Sequence, residues 1–168
     1  MIIYILRHGI AVPHGTSGIA EDERPLTPEG REKMGQAARG LRKLEVMPDL
    51  ILTSPLPRAK QTAEIVRTEL GEKIPVETSV SLAPSGSRSQ VYAELRKRAK
   101  DESVMIVGHQ PGLGEIAGEI AWGSAQAYLE LKKGGVCCLE VSEWAPVPRG
   151  ALMWLLTPAI LRSINRRQ

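Results

Sequence analysis

Ile2-Ile3-Tyr4-Ile5-Leu6-Arg7-His8-Gly9 is the stretch that decides the fold. A short apolar run, rich in β-formers and bounded by glycine, predicts a buried strand. It stops abruptly at a fixed cation, an imidazole and a glycine. That order puts an anion binder and a candidate nucleophile at the carboxyl end of a central strand. In open α/β sheets, ligands bind at that edge.

Downstream, Ile10 to Thr27 reads as a loop that holds His14 and the acidic run Glu21-Asp22-Glu23. Loops of this length are uncommon unless they have a function. Thr27-Pro28 then reads as a helix cap followed by proline at the first helical position. Met34, Ala37, Ala38, Leu41 and Leu44 continue at helical spacing, and the helix is expected to end near Pro48. Leu50 to Thr53 is a second apolar strand, running into Ser54-Pro55-Leu56-Pro57-Arg58. A helix starting at Pro57 buries Ala59, Thr62, Ala63, Val66 and Leu70 and stops at Gly71. Arg58 therefore sits in a first helical turn, where the dipole disfavours a cation. A bound anion would resolve that conflict.

Val76 to Val80 predicts a short strand and Ser81 to Gly86 a turn. A basic amphipathic helix over 88–100 would turn Val91, Leu95 and Ala99 inward, its cations forming a solvated face. Ser103 to Val107 is the clearest buried strand. It ends at Gly108-His109-Gln110-Pro111, and a helix follows with Leu113, Ile116, Ala117 and Ile120 on one face. Strands are expected at about Gly135 to Val141 and Met153 to Leu156, then a short helix and a tail, Arg162 to Gln168, with solvent-facing arginines. This order predicts an α/β three-layer sandwich with a mostly parallel central sheet and helices on both faces. A length of 168 residues suits a single domain over 1–168.

Composition narrows the function. A net charge of +3 fits an anionic substrate but is too weak to point to nucleic acid, and 4% aromatics leave few stacking platforms. The apolar runs are too short to span a bilayer, and Arg7-His8 interrupts any signal-like segment, so a cytoplasmic protein is expected. Adjacent Cys137 and Cys138 match no redox or zinc spacing. On a strand they would point to opposite faces as small hydrophobes, at least one in the core.

If the strands ending at His8, near Arg58 and at His109 are parallel neighbours, then Arg7, His8, Arg58 and His109 meet at one edge. Either histidine alone would be read as structural. Two histidines, each directly following an apolar strand and flanked by glycine, point to catalysis. Phosphoryl transfer suits this set, because its catalysis is mainly positioning and electrostatic stabilisation. Two guanidiniums can grip the oxygens with fork geometry. One imidazole can attack phosphorus in line, and its tautomer must be set through its other nitrogen. The second imidazole can donate to a phosphoryl oxygen. Arginines beside both histidines would repel a divalent cation, so no metal is expected.

These residues resemble the histidine phosphatase superfamily, the group that includes the phosphoglycerate mutases. The matching motifs are Leu6-Arg7-His8-Gly9, Arg24-Pro25-Leu26-Thr27 with Gly30, Ser54-Pro55 with Arg58-Ala59 and Gln61-Thr62-Ala63, and Val107-Gly108-His109-Gln110-Pro111. Short length and Leu82-Ala83-Pro84-Ser85-Gly86 look most like the SixA subgroup of phosphohistidine phosphatases. The resemblance implies a phosphoglycerate mutase-like fold and His8 as nucleophile. It also implies that Arg7, Arg58 and His109 complete a catalytic, substrate-binding phosphate pocket, with no metal or organic cofactor. The implied partner is a phosphohistidine on a phosphotransfer domain, with a small phosphorylated metabolite as the alternative. A non-catalytic phosphate-binding module is the third reading.

The chain departs from the mutase pattern. Ala11 and His14 stand where mutases carry serine and asparagine, and Ala83 and Pro84 occupy the stretch that carries an acidic glutamate. The general acid is left open among Glu21, Asp22, Glu23 or none, with a solvated acidic loop as the simpler reading. The role of His14 is open too. An alkoxide needs a strong acid to leave, whereas imidazole, with a conjugate-acid pKa of about 6.5, leaves easily once protonated. The missing glutamate thus favours phosphohistidine over sugar phosphates.

Overall fold

Alternation along the first strand sets the layers. In the structure, a computed structural model that describes residues 1–98 and 102–166, β1 covers Ile2–Arg7. Ile3 and Ile5 face one side of the sheet and Leu6 the other, and all three are fully buried. Burial on both faces is what a central strand with near-continuous apolar sequence requires. The neighbours of β1 are β4 (Ser103–Gly108), parallel, and β5 (Val136–Glu143), antiparallel. β4 also pairs in parallel with β2 (Leu50–Thr53), which pairs with β3 (Val76–Thr78). β6 (Arg149–Leu156) closes the far edge, giving the order β3-β2-β4-β1-β5-β6.

Helices cover both faces, as the sequence predicts. On one side, α1 (Pro28–Lys43), α2 (Pro57–Leu70) and α5 (Pro158–Arg166) bury Met34, Leu41, Val66 and Leu161 against Leu6, Ile51, Met105 and Val107. On the other, α3 (Arg88–Lys97) and α4 (Gly112–Trp122) pack Leu95, Leu113 and Ile120 against Ile3, Ile5 and Ile106. Both cysteines are buried and free, with Cys137 in the α3/α4 core.

Several boundaries differ from expectation. α1 stops at Lys43, well before Pro48, because Leu44 caps it and Glu45 turns left-handed at φ 56°. β3 ends at Thr78, and a 3-10 turn over Val80–Leu82 replaces its last residues. There the buried hydroxyls of Ser79 and Ser81 bond each other at 2.7 Å and draw the chain round. β6 begins at Arg149, four residues before Met153, because its antiparallel partner β5 extends to Glu143. α5 carries much of the expected tail; Arg166 is exposed, but Arg162 is half-buried. Ala99 lies outside the described residues. Among the described residues no helix is long and apolar enough to cross a membrane.

Candidate active site

The parallel pairing of β4 with both β1 and β2 places three strand ends side by side. His8 follows β1, Ser54 begins the turn from β2 into α2, and His109 follows β4. The two histidine rings lie 5.1 Å apart between centroids. The edge predicted from sequence therefore does collect Arg7, His8, Arg58 and His109. All four line one cavity of about 360 Å³.

The His8 backbone is held by sheet-like bonds: its N–H donates to Gly108 O at 3.1 Å, and its carbonyl accepts from Gly134 N at 3.1 Å. Its Nδ1 lies 2.7 Å from the Gly9 carbonyl. A carbonyl only accepts, so Nδ1 carries the proton and Nε2 keeps its lone pair. The Gly9 peptide is fixed in turn. Its N–H donates to Thr62 Oγ1 at 3.0 Å, and that hydroxyl donates to the Arg58 carbonyl at 2.7 Å. One threonine on α2 thus ties the His8 turn to the start of the helix that carries Arg58. The α1 end approaches as closely: a Cβ on Gly30 would lie 2.0 Å from the Ile10 carbonyl oxygen.

Electrostatics keep both imidazoles neutral. Burial pushes the His8 pKa down to about 3, against the Gly9 bond and with the help of His109, Arg58 and Arg7. Burial, then Arg58, Arg24 and Arg7, brings His109 to about 4. His109 Nε2 lies 2.8 Å from Ser54 Oγ, which already accepts from Leu56 N at 3.3 Å. The Ser54 oxygen has a second lone pair, so this contact fits either His109 tautomer; with Ser54 donating to Nε2, the His109 proton is on Nδ1. That nitrogen is buried and has no protein partner.

Each guanidinium donates from a terminal nitrogen to a backbone carbonyl, and Arg24 uses its other terminal nitrogen on the Glu21 carboxylate. Arg7 donates to the Leu131 carbonyl at 2.7 Å, Arg58 to Glu21 O at 3.0 Å and Arg24 to Val12 O at 2.7 Å. The Nε of all three is buried without a protein acceptor. All three arginines converge on the one cavity, so its wall is set to receive an anion. Lys133 adds a fourth cation to that wall.

Arg24, Ser54 and Thr62 lie within the matching motifs, but the sequence assigns none of them a role at the site. Arg24 had a local signal, an arginine between an acidic run and proline. The partner of Ser54 lies 55 residues away in sequence and left no signal. The loop needs a correction as well. The solvated-acid reading fits Asp22 and Glu23, which are exposed in a 3-10 turn and do not line the cavity. Glu21 does line it. Its carboxylate meets Arg24, lies 2.5 Å from His14 Nδ1 and 3.7 Å from Arg58 Nη2. Bonds from Arg24 and then His14 hold Glu21 down at about 2, so it is ionised and has no proton to give. An antiparallel bridge between Ala11 and Leu26 closes the base of this loop. Pro84 lines the cavity from the turn that follows β3. A second cavity of about 240 Å³ shares His109, Gln110 and Pro84 with the first. Among the described residues, no group of three or more His, Cys, Asp or Glu is placed to hold a metal ion.

Known proteins resemble this chain in sequence and fold. The family model for the histidine phosphatase superfamily (branch 1) matches residues 3–83. An uncharacterized protein of Picosynechococcus sp. is 44% identical over 144 residues, covering 83% of this chain and 85% of that protein. The chain belongs to the histidine phosphatase superfamily. Within that superfamily, the phosphohistidine phosphatase SixA of Escherichia coli is 27% identical over 164 residues, spanning 96% of this chain and 97% of SixA. A solved structure of the protein histidine phosphatase SixA complexed with tungstate matches with a TM-score of 0.84 at 26% identity, covering 96% and 99% of the two chains. An alpha-ribazole phosphatase from Shigella flexneri shares the fold, with a TM-score of 0.76 at 18% identity over 94% of this chain and 97% of that one.

Proposed function

We propose that this chain is a metal-independent phosphatase whose His8 takes the phosphoryl group from a protein phosphohistidine, in the manner of SixA. The observation that carries this reading is the 2.7 Å bond from His8 Nδ1 to the Gly9 carbonyl, which leaves Nε2 unprotonated beside three guanidiniums. Nε2 attacks phosphorus in line and the phosphorus–leaving-group bond breaks. Arg7, Arg24 and Arg58 stabilise the equatorial oxygens, and His109 donates from Nδ1. Water then hydrolyses the phosphohistidine and restores neutral His8. Tungstate, bound by the solved SixA, is a tetrahedral oxyanion like the group this wall would grip.

The absence of a carboxylic acid donor among the lining residues supports the phosphohistidine reading. Pro84 stands in the stretch where a glutamate acid would reach the leaving group, and Glu21 is held ionised. Such a site suits imidazole better than an alkoxide. The adjoining cavity of about 240 Å³ gives the leaving histidine and its flanking chain a place to lie. The small-metabolite reading draws on the alpha-ribazole phosphatase neighbour.

The test is a substrate panel with purified protein: a phosphohistidine protein, phosphosugars and an aryl phosphate, each with and without chelator. Preference for phosphohistidine, indifference to chelator and acid-labile phosphate on His8 are expected. Preference for an alkyl phosphate would select the metabolite reading, and full activity in His8→Ala would remove the nucleophile.

A further inference from the structure

Resting on the phosphatase reading above, we infer that His14, oriented by Glu21, is the group that protonates the leaving imidazole and then activates water. The juxtaposition is a carboxylate–imidazole pair on the rim of the reaction cavity. His14 and Glu21 both line the cavity that holds His8, and the two side chains meet at 2.5 Å through Nδ1. A carboxylate on Nδ1 fixes that nitrogen as the protonated one and leaves Nε2 as the working atom. Glu21 is itself anchored, because its carboxylate is held by Arg24 and its backbone carbonyl by Arg58. The pair is therefore tied to the same arginines that would hold the phosphoryl group, although His14 lies on an exposed loop.

The buried imidazoles and the carboxylate around the cavity do not do this work. His8 and His109 are buried and neutral, with a ring nitrogen of each engaged by Gly9 and Ser54 respectively. Glu21 is ionised, and Pro84 has no proton.

The steps balance. His8 Nε2 bonds to phosphorus as the substrate's phosphorus–nitrogen bond breaks, and the departing ring takes the proton from His14 Nε2. His14 is left neutral. Water then attacks phosphorus, His14 Nε2 accepts its proton, the bond to His8 breaks and inorganic phosphate leaves. His14 is again protonated for the next cycle.

The experiment is rapid-quench measurement of phospho-His8 formation from two donors: a phosphohistidine peptide, and dinitrophenyl phosphate, whose phenolate departs unprotonated. His14→Asn should slow transfer from phosphohistidine by about 10²-fold and leave transfer from dinitrophenyl phosphate within a few-fold of the parent. Glu21→Gln should show the same selectivity at smaller size, because Glu21 positions His14, on top of a loss common to both donors through its contacts with Arg24 and Arg58. Equal rates in parent and His14→Asn with phosphohistidine, or equal losses with both donors, would overturn the inference while the nucleophile stands. No acid-labile phosphate on His8 from either donor would remove the phosphatase reading and this inference together. With its side chain 82% exposed, His14 can be replaced without cost to the core.

Discussion

Lowering the pH should unfold this protein through its own active site. His8 and His109 are each only 6% exposed, and burial holds them neutral at pKa values of about 3 and about 4. In the unfolded chain both return to about 6.5. Folded values below unfolded ones mean that the unfolded state binds more protons in acid. Stability is therefore lost as pH falls below about 6.5, and the loss continues to about 4 for His109 and about 3 for His8. Between about pH 7.5 and about pH 5 each imidazole should remove about 2 kcal/mol, about 4 kcal/mol together. Urea unfolding at the two pH values measures the loss, and a His8→Asn/His109→Asn variant gives the loss due to all other groups. Glu21, held at about 2, contributes only below this window. The parent should lose about 4 kcal/mol more than the double variant; equal losses would show that the two rings are not held neutral and would refute the account of the nucleophile.

Three further outcomes follow from the geometry. Arg58→Ala should lower kcat by about 10²–10³-fold and Arg58→Lys by less, because lysine keeps the charge but not the fork; steady-state kinetics on both separates charge from planarity. Thr62→Val removes the acceptor of the buried Gly9 N–H and should cost about 1–3 kcal/mol in denaturant unfolding, together with a fall in kcat as the peptide that holds His8 loosens. Gly30→Ala drives a methyl into the Ile10 carbonyl and should destabilise by about 1–3 kcal/mol, read as a drop in Tm.

Much of the fold was legible because β1 and β4 are central strands, buried on both faces, and write that burial as unbroken apolar runs ending in Arg7-His8 and His109. Arg58 was legible through a conflict: a cation in a first helical turn needs an anion, and the cavity supplies the place for one. The roles of Glu21, His14 and Arg24 were not legible. Their positions depend on the Ala11–Leu26 bridge, a contact that no local pattern encodes. The Leu131 carbonyl that orients Arg7 lies 124 residues away from it. β6 was placed short because Arg149-Gly150 looks like loop, and only pairing with β5 makes it strand.

The proposed nucleophile sits inside the sheet's own bonding pattern, with His8 held by Gly108 on one side and Gly134 on the other. Its position is set by backbone, which side-chain substitution barely alters. The walls that would meet the rest of a substrate come instead from connections, the 10–27 loop and the turn over 81–86. The place of attack is thereby set by the strands, while the 10–27 loop brings Arg24, His14 and Glu21 to it together with part of the outer wall. On the proposed mechanism, specificity is open to change in the turn over 81–86, whereas exchange of the 10–27 loop would also remove Arg24, His14 and Glu21 from the cavity.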